Sequence, residues 1–326
     1  MHRKIALEEH FATEDTVGNS KQFMPDDQWS ELSARLLDFH DKRLGFMDRH
    51  GVEMMIVSLN APAVQAIPDV DRAIEVARRA NDCLASQVAR RPDRFAGLAA
   101  LPMQDPEAAI VEVRRSVEDL GLIGALVNGF SQRDREDTAL YYDLPQYWPF
   151  WAELERLDVP FYLHPREPLP SQRRIYEGHP WLLGPVWAFA AETSMHALRL
   201  MASGIFDKYP GLKIILGHLG EGLPYNIWRA DHRIKKYSHG IPAKKPLAEY
   251  LCANFYLTTA GNFRTQTLID AILEVGADRI LFSADYPFEE LGEAAEWFDG
   301  ASISEPDRVK IGRRNAARLF KFAGLG

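Results

Sequence analysis

Cysteine is scarce in this chain: Cys83 and Cys252 are the only two among 326 residues. Two distant thiols make neither a disulfide framework nor a zinc ribbon, and a reducing compartment, the cytoplasm, is expected. Long apolar runs are missing as well. None approaches the roughly 18 residues of a membrane span, and the N-terminal residues lack the hydrophobic core of a secretory leader. Basic charge is not in excess, since 38 Lys and Arg against 46 Asp and Glu leave a net charge of -8. That balance argues against nucleic acid and anionic membrane as partners, and an anionic substrate would have to be attracted locally, by a metal or by particular arginines. No low-complexity tract, linker or plain repeat interrupts the chain, and 46% hydrophobic with 26% charged residues is ordinary for a globular protein.

What recurs is a pattern: a short apolar run, a polar loop, then an amphipathic helix. The runs occupy 4–10, 54–60, 95–102, 124–129, 160–165, 213–220, 255–261 and 280–287. Several are almost continuously apolar, as expected of parallel strands covered on both faces. Between them, 71–91 reads as a helix with Ala73, Ile74, Ala77, Ala80 and Leu84 on one face, and Asp105-Pro106 supplies an N-cap and a first-turn proline. Further helices are predicted at 148–157, 192–205, 264–275 and 305–322. Eight strand–helix units predict a single (β/α)₈ TIM barrel domain over 1–326. A doubly wound open sheet would carry a Gly-rich loop after its first strand, where Glu8-Glu9-His10-Phe11 stands instead. Long insertions at 11–45, 165–190 and 221–250, rich in Trp, Tyr, Phe, Pro and Arg, follow strands at the face where this fold places its chemistry. They are expected to build a pocket or a subunit contact.

The strand ends are the test of that idea. The first run carries Glu8 and His10, whose i, i+2 spacing puts both side chains on one face of a strand. The fourth ends in Asn128, the fifth in His164, the sixth in His218 and the eighth in Asp285. Each alone has an ordinary explanation as a hydrogen-bonded or capping residue. Together they place two carboxylates and several imidazoles at the mouth of one barrel, which is a metal-ligand chemistry. Glu9 is expected to point away from the axis and to pair with the helices.

The order Glu-x-His, His, His, Asp on strands one, five, six and eight resembles the amidohydrolase superfamily, with glutamate replacing the first histidine of its usual His-x-His. The stretches 6–11, 58–65, 124–130, 162–166 and 216–221 are similar to its group of non-oxidative aromatic decarboxylases, which includes aminocarboxymuconate-semialdehyde decarboxylase, and nearly the whole chain shares the likeness. The resemblance implies decarboxylation of a hydroxybenzoate, 2,6-dihydroxybenzoate before 2,3-dihydroxybenzoate or salicylate. A metal-dependent hydrolase on the same scaffold is the alternative. It also implies that Glu8, His10, His164 and Asp285 hold one divalent ion. His218, Glu221 and Arg229 would line the site, while Phe23, Asn128 and Phe288 would contact the substrate. Asp285 would deliver the proton, with His218 and Glu221 as a coupled pair and Arg229 on the substrate carboxylate. The oxygen–nitrogen donor set suits Zn²⁺ or Mn²⁺ and does not choose between them. A homotetramer, as a dimer of dimers, completes what the resemblance implies.

Overall fold

The computed structural model describes residues 3–324. Ten strands form: β1 (Lys4–Phe11), β2 (Val52–Leu59), β3 (Phe95–Gly97), β4 (Ala125–Asn128), β5 (Ser131–Arg133), β6 (Arg135–Leu140), β7 (Phe161–His164), β8 (Ile214–Leu216), β9 (Phe255–Thr258) and β10 (Ile280–Leu281). Strands β1-β2-β3 and β4-β7-β8-β9-β10 pair in parallel. A bridge between Ala99 and Ala125 joins the two sets. The His10 N–H, donating to the Tyr286 carbonyl at 2.6 Å, closes the ring between β1 and the segment after β10. The predicted barrel is the observed one. The antiparallel hairpin β5–β6 lies outside it and was not foreseen.

Alternation along the strands sorts the core into two layers. Leu7, Ile56, Leu98, Leu126, Tyr162, Ile215 and Leu281 meet inside the barrel, and Ala316, Ala317, Leu319 and Phe320 from the C-terminal segment pack into the same cluster. Met55, Val57, Phe161, Leu163, Ile214, Leu216 and Phe255 face outward into the larger cluster shared with the helices. Helix starts follow local chemistry: the Asp69 carboxylate accepts from Arg72 N at the head of Val70–Arg90, and Asp105 accepts from Glu107 N and Ala108 N ahead of Pro106–Glu118.

Three expectations need correction. The eighth run is strand only over Ile280–Leu281, because beyond it side chains replace the ladder: Ser283 N–H donates to Thr259 Oγ1, whose hydroxyl donates to the Ser283 carbonyl. The insertion at 221–250 is largely helical, with Leu223–Lys236 burying Leu223 and Ile227 in the outer layer. Glu9 forms no pair with a helix. It is buried, and its carboxylate accepts from Ala284 N at 2.9 Å and Tyr286 N at 3.0 Å.

Candidate metal centre

Glu8 reaches the barrel interior through a bulge. Leu7 pairs with Ile56 and Glu9 with Val57, so Glu8 is the extra residue, and its φ is 65°. Without that bulge, strict alternation from Ile5 and Leu7 would turn Glu9 inward and Glu8 outward. With it, Glu8 and His10 both join the interior. Tyr162 and His164, two apart on β7, face the same way. Asp285 follows β10 with φ 78°.

Glu8, His10, His164 and Asp285 each offer one donor atom, and the four atoms lie within 4.8 Å of one another. His10 Nε2 is 3.2 Å from Asp285 Oδ1, and His164 Nε2 is 3.4 Å from Glu8 Oε1. Neither contact is aligned as a hydrogen bond: Glu8 Oε1, His10 Nε2 and Asp285 Oδ1 are buried with no hydrogen-bond partner. Buried polar atoms without partners are rare and costly. Three orphans converging on one point, beside a fourth donor, fit a cation. His164 Nδ1 sits 3.0 Å from the Pro165 carbonyl. A carbonyl only accepts, so Nδ1 carries the proton and Nε2 keeps its lone pair toward the cluster. Burial, reinforced by His10 and His218, holds His164 well below the usual histidine range, hence neutral. Burial likewise pushes Glu8 up to about 8, a cost that an adjacent cation would reverse.

His218 stands beside this group. Its Nδ1 is 2.7 Å from Glu221 Oε1, and its Nε2 is 3.7 Å from Asp285 Oδ2. The pair meets because residues 218–222 all have positive φ, from 52° at His218 to 85° at Gly220, forming a left-handed turn that stacks i against i+3. Burial pulls the imidazole down, but Glu221, Glu8 and Asp285 raise it well above its ordinary value. Burial likewise opposes ionisation of Asp285, yet His10 and His218 hold it low, at about 2. The shared proton therefore rests on His218.

Of these groups His164, His218 and Asp285 form the polar floor of a cavity of about 240 Å³, walled by Phe23, Phe189 and Phe288. A cavity of about 150 Å³ accommodates benzene, so one substituted ring fits. Phe23 meets Phe189 edge to face at 5.3 Å, and Phe288 meets His10 likewise at 5.6 Å. Phe23 also lines a neighbouring cavity of about 200 Å³ that contains Arg166 and Gln132. A larger open groove of about 650 Å³ beside Trp228 and Lys244 holds none of the four donors.

Not every expected residue reaches the cavity: Glu221 touches it only through His218 and is absent from its wall. Asn128 is buried behind it, donating from Nδ2 to the Asn60 and Pro62 carbonyls. Arg229 lies on the exposed side of the helix Leu223–Lys236 and is absent from the cavity wall. Its place near the His218 turn in sequence does not decide which side of the helix it takes. Tyr162, Thr258, Phe189 and Glu289 were not foreseen. Tyr162 was detectable, being two residues before His164 on one strand. Glu289 lines the cavity, and burial raises it to about 7.

Comparison with known proteins agrees with this fold. The Amidohydrolase family model matches residues 10–322. A γ-resorcylate decarboxylase from Rhizobium radiobacter is 65% identical over 326 residues, covering 99% of this chain and 100% of that protein. A crystal structure of 2,6-dihydroxybenzoate decarboxylase complexed with 2,6-dihydroxybenzoate superposes with a TM-score of 0.97 at 65% identity, over 99% of this chain and 100% of that one. A dihydroxybenzoic acid decarboxylase from Polaromonas sp. JS666, solved with manganese and 2-nitroresorcinol, gives 0.97 at 65% identity, over 98% and 97%.

Proposed function

Because the chain belongs to the amidohydrolase family, we propose that it is a metal-dependent carboxy-lyase that converts 2,6-dihydroxybenzoate to resorcinol and CO₂. The observation that carries this reading is the set of four converging donors under an aromatic-walled cavity. Glu8, His10, His164 and Asp285 would hold one divalent ion. Manganese is favoured over zinc by the ion in the Polaromonas relative. The ion would supply Lewis-acid stabilisation of the substrate's phenolate and carboxylate oxygens.

The remaining steps belong to side chains. Phe23 and Phe288 grip the ring and exclude water. His218, held by Glu221, passes its proton across to Asp285 Oδ2, which delivers it to the ring carbon bearing the carboxylate. The bond to the carboxylate then breaks, its electron pair returns to the ring, and CO₂ leaves. A positioned acid contributes roughly 10²–10⁴-fold. Asn128 would act indirectly, by holding the loop at residues 60–62 against the cavity. Arg229, exposed and absent from the cavity wall, is given no carboxylate-binding role within one chain.

The same reading takes 1–326 as one domain in the cytoplasm. The half-buried free cysteines suit a reducing setting. No described helix is long and apolar enough to cross a membrane. Exposed Trp181, Val186, Trp187, Tyr225 and Trp228 leave apolar surface that a second copy would cover in a dimer of dimers. Protein loaded with Mn²⁺ or Zn²⁺ and offered 2,6-dihydroxybenzoate, 2,3-dihydroxybenzoate or salicylate should release CO₂ and a phenol, fastest from the first. Release of CO₂ from none of the three by the metal-loaded protein would refute the assignment.

A further inference from the structure

Resting on the metal-centre reading above, we infer that Tyr162 and Thr258 are positioning residues that commit Glu8 to the cation through Oε1 alone. Glu8 projects from β1 across the barrel to the opposite wall, where β7 and β9 flank β8. There the Tyr162 hydroxyl donates to Glu8 Oε2, and Thr258 Oγ1 donates to the same oxygen at 3.0 Å. The two hydroxyls are 3.0 Å apart, and all three side chains are fully buried. Both donors fall on one oxygen. With its two lone pairs engaged, Oε2 becomes a ligand only by giving up a hydrogen bond in a dry interior, where the abandoned hydroxyl keeps only its neighbouring hydroxyl as a partner. Oε1 accepts none and faces His164 Nε2 at 3.4 Å.

Room for this arrangement comes from Gly217, just past the end of β8. A Cβ there would stand 2.8 Å from Glu8 Oε1 and 2.9 Å from Oε2, closer than real carbon contacts allow. Three separate strands thus cooperate: two supply a hydroxyl and the third supplies the absence of a side chain. Partners of this kind fix the rotation of the ligand they touch, and their loss typically lowers metal affinity 10–100-fold.

The test is Mn²⁺ titration of metal-stripped protein, with free ion read by electron paramagnetic resonance and fold by far-UV circular dichroism. Tyr162→Phe and Thr258→Val should each weaken binding by about 10–100-fold, Thr258→Ser should bind as the parent does, and Gly217→Ala should lose the ion. A packing role alone would lower the melting temperature and leave affinity unchanged. If Tyr162→Phe and Thr258→Val, both folded, bind Mn²⁺ as tightly as the parent, the inference is wrong. Should Tyr162→Phe not fold, the contrast between Thr258→Val and Thr258→Ser decides, because they differ at the hydroxyl. A parent that binds no divalent ion would instead overturn the metal-centre reading itself.

Discussion

At the level of single side chains, the proton bookkeeping of the cavity depends on Asp285, which faces His10 on one oxygen and His218 on the other. Asp285→Asn keeps the shape and removes the acid. Product formation measured by chromatography should fall by at least roughly 10²-fold, the low end for a positioned acid, and a near-parental rate would exclude the donor role. His196 illustrates a buried imidazole with a purely structural task. Its Nε2 accepts from Tyr142 N at 3.1 Å, and burial holds it at about 3. An unfolded histidine titrates near 6.5, so between those values the unfolded chain binds the extra proton. Stability from this residue is complete above about pH 6.5 and declines as pH falls toward about 3. His196→Gln offers an acceptor that does not titrate. Its midpoint of urea unfolding should therefore fall less steeply than the parent's between pH 6 and pH 4, two values chosen inside that window; identical slopes would count against the account.

Within the elements, β1 does the most with the least sequence. Its bulge at Glu8 changes which residues look inward, and its Glu9 carboxylate takes over two backbone hydrogen bonds from the seam near Asp285. Glu9→Ala strands two buried N–H groups, each costing about 1–3 kcal/mol. The variant should melt well below the parent by calorimetry and show reduced Mn²⁺ occupancy when its metal content is measured. An unchanged melting temperature would mean that the seam closes without Glu9. This strand also shows why the sequence could be read only in part. Glu8 and His10 announce themselves by chemistry, and two-residue spacing brings them to one face. Nothing local in Ile5–Phe11 specifies a bulge, because its cause lies in the pairing with β2. Asn128 and Arg229, both expected at the cavity, fall outside its wall for a related reason. Both lie close in sequence to strand ends that matter, but the direction of each side chain is settled by packing against other elements.

For the molecule as a whole, the barrel and its mouth were readable from the succession of apolar runs, since eight parallel units have few ways to close. The hairpin β5–β6 was not, because strands of three and six residues carry weak periodic signals, whereas the helix Leu223–Lys236 is amphipathic and its signal lay open in the sequence. A cation bound only by the folded chain stabilises the whole by mass action, about 4 kcal/mol when it exceeds its dissociation constant a thousandfold. Metal-stripped protein should therefore melt lower than the same protein with saturating Mn²⁺, and the gap should widen with added ion. Equal melting temperatures would argue that the four donors bind nothing.

Phe23 lines both the cavity above the donor cluster and the neighbouring one beside Arg166. Truncating it to alanine should merge them into a single vestibule with nearly twice the room. Acids bearing an alkyl tail on the ring, too bulky for the parent, should then become substrates, while turnover of the small acid slackens for want of a clamp. Competing the two acids against each other in one vessel and following both products would reveal such a swap in preference. The range of molecules admitted would then be set by a partition one side chain thick.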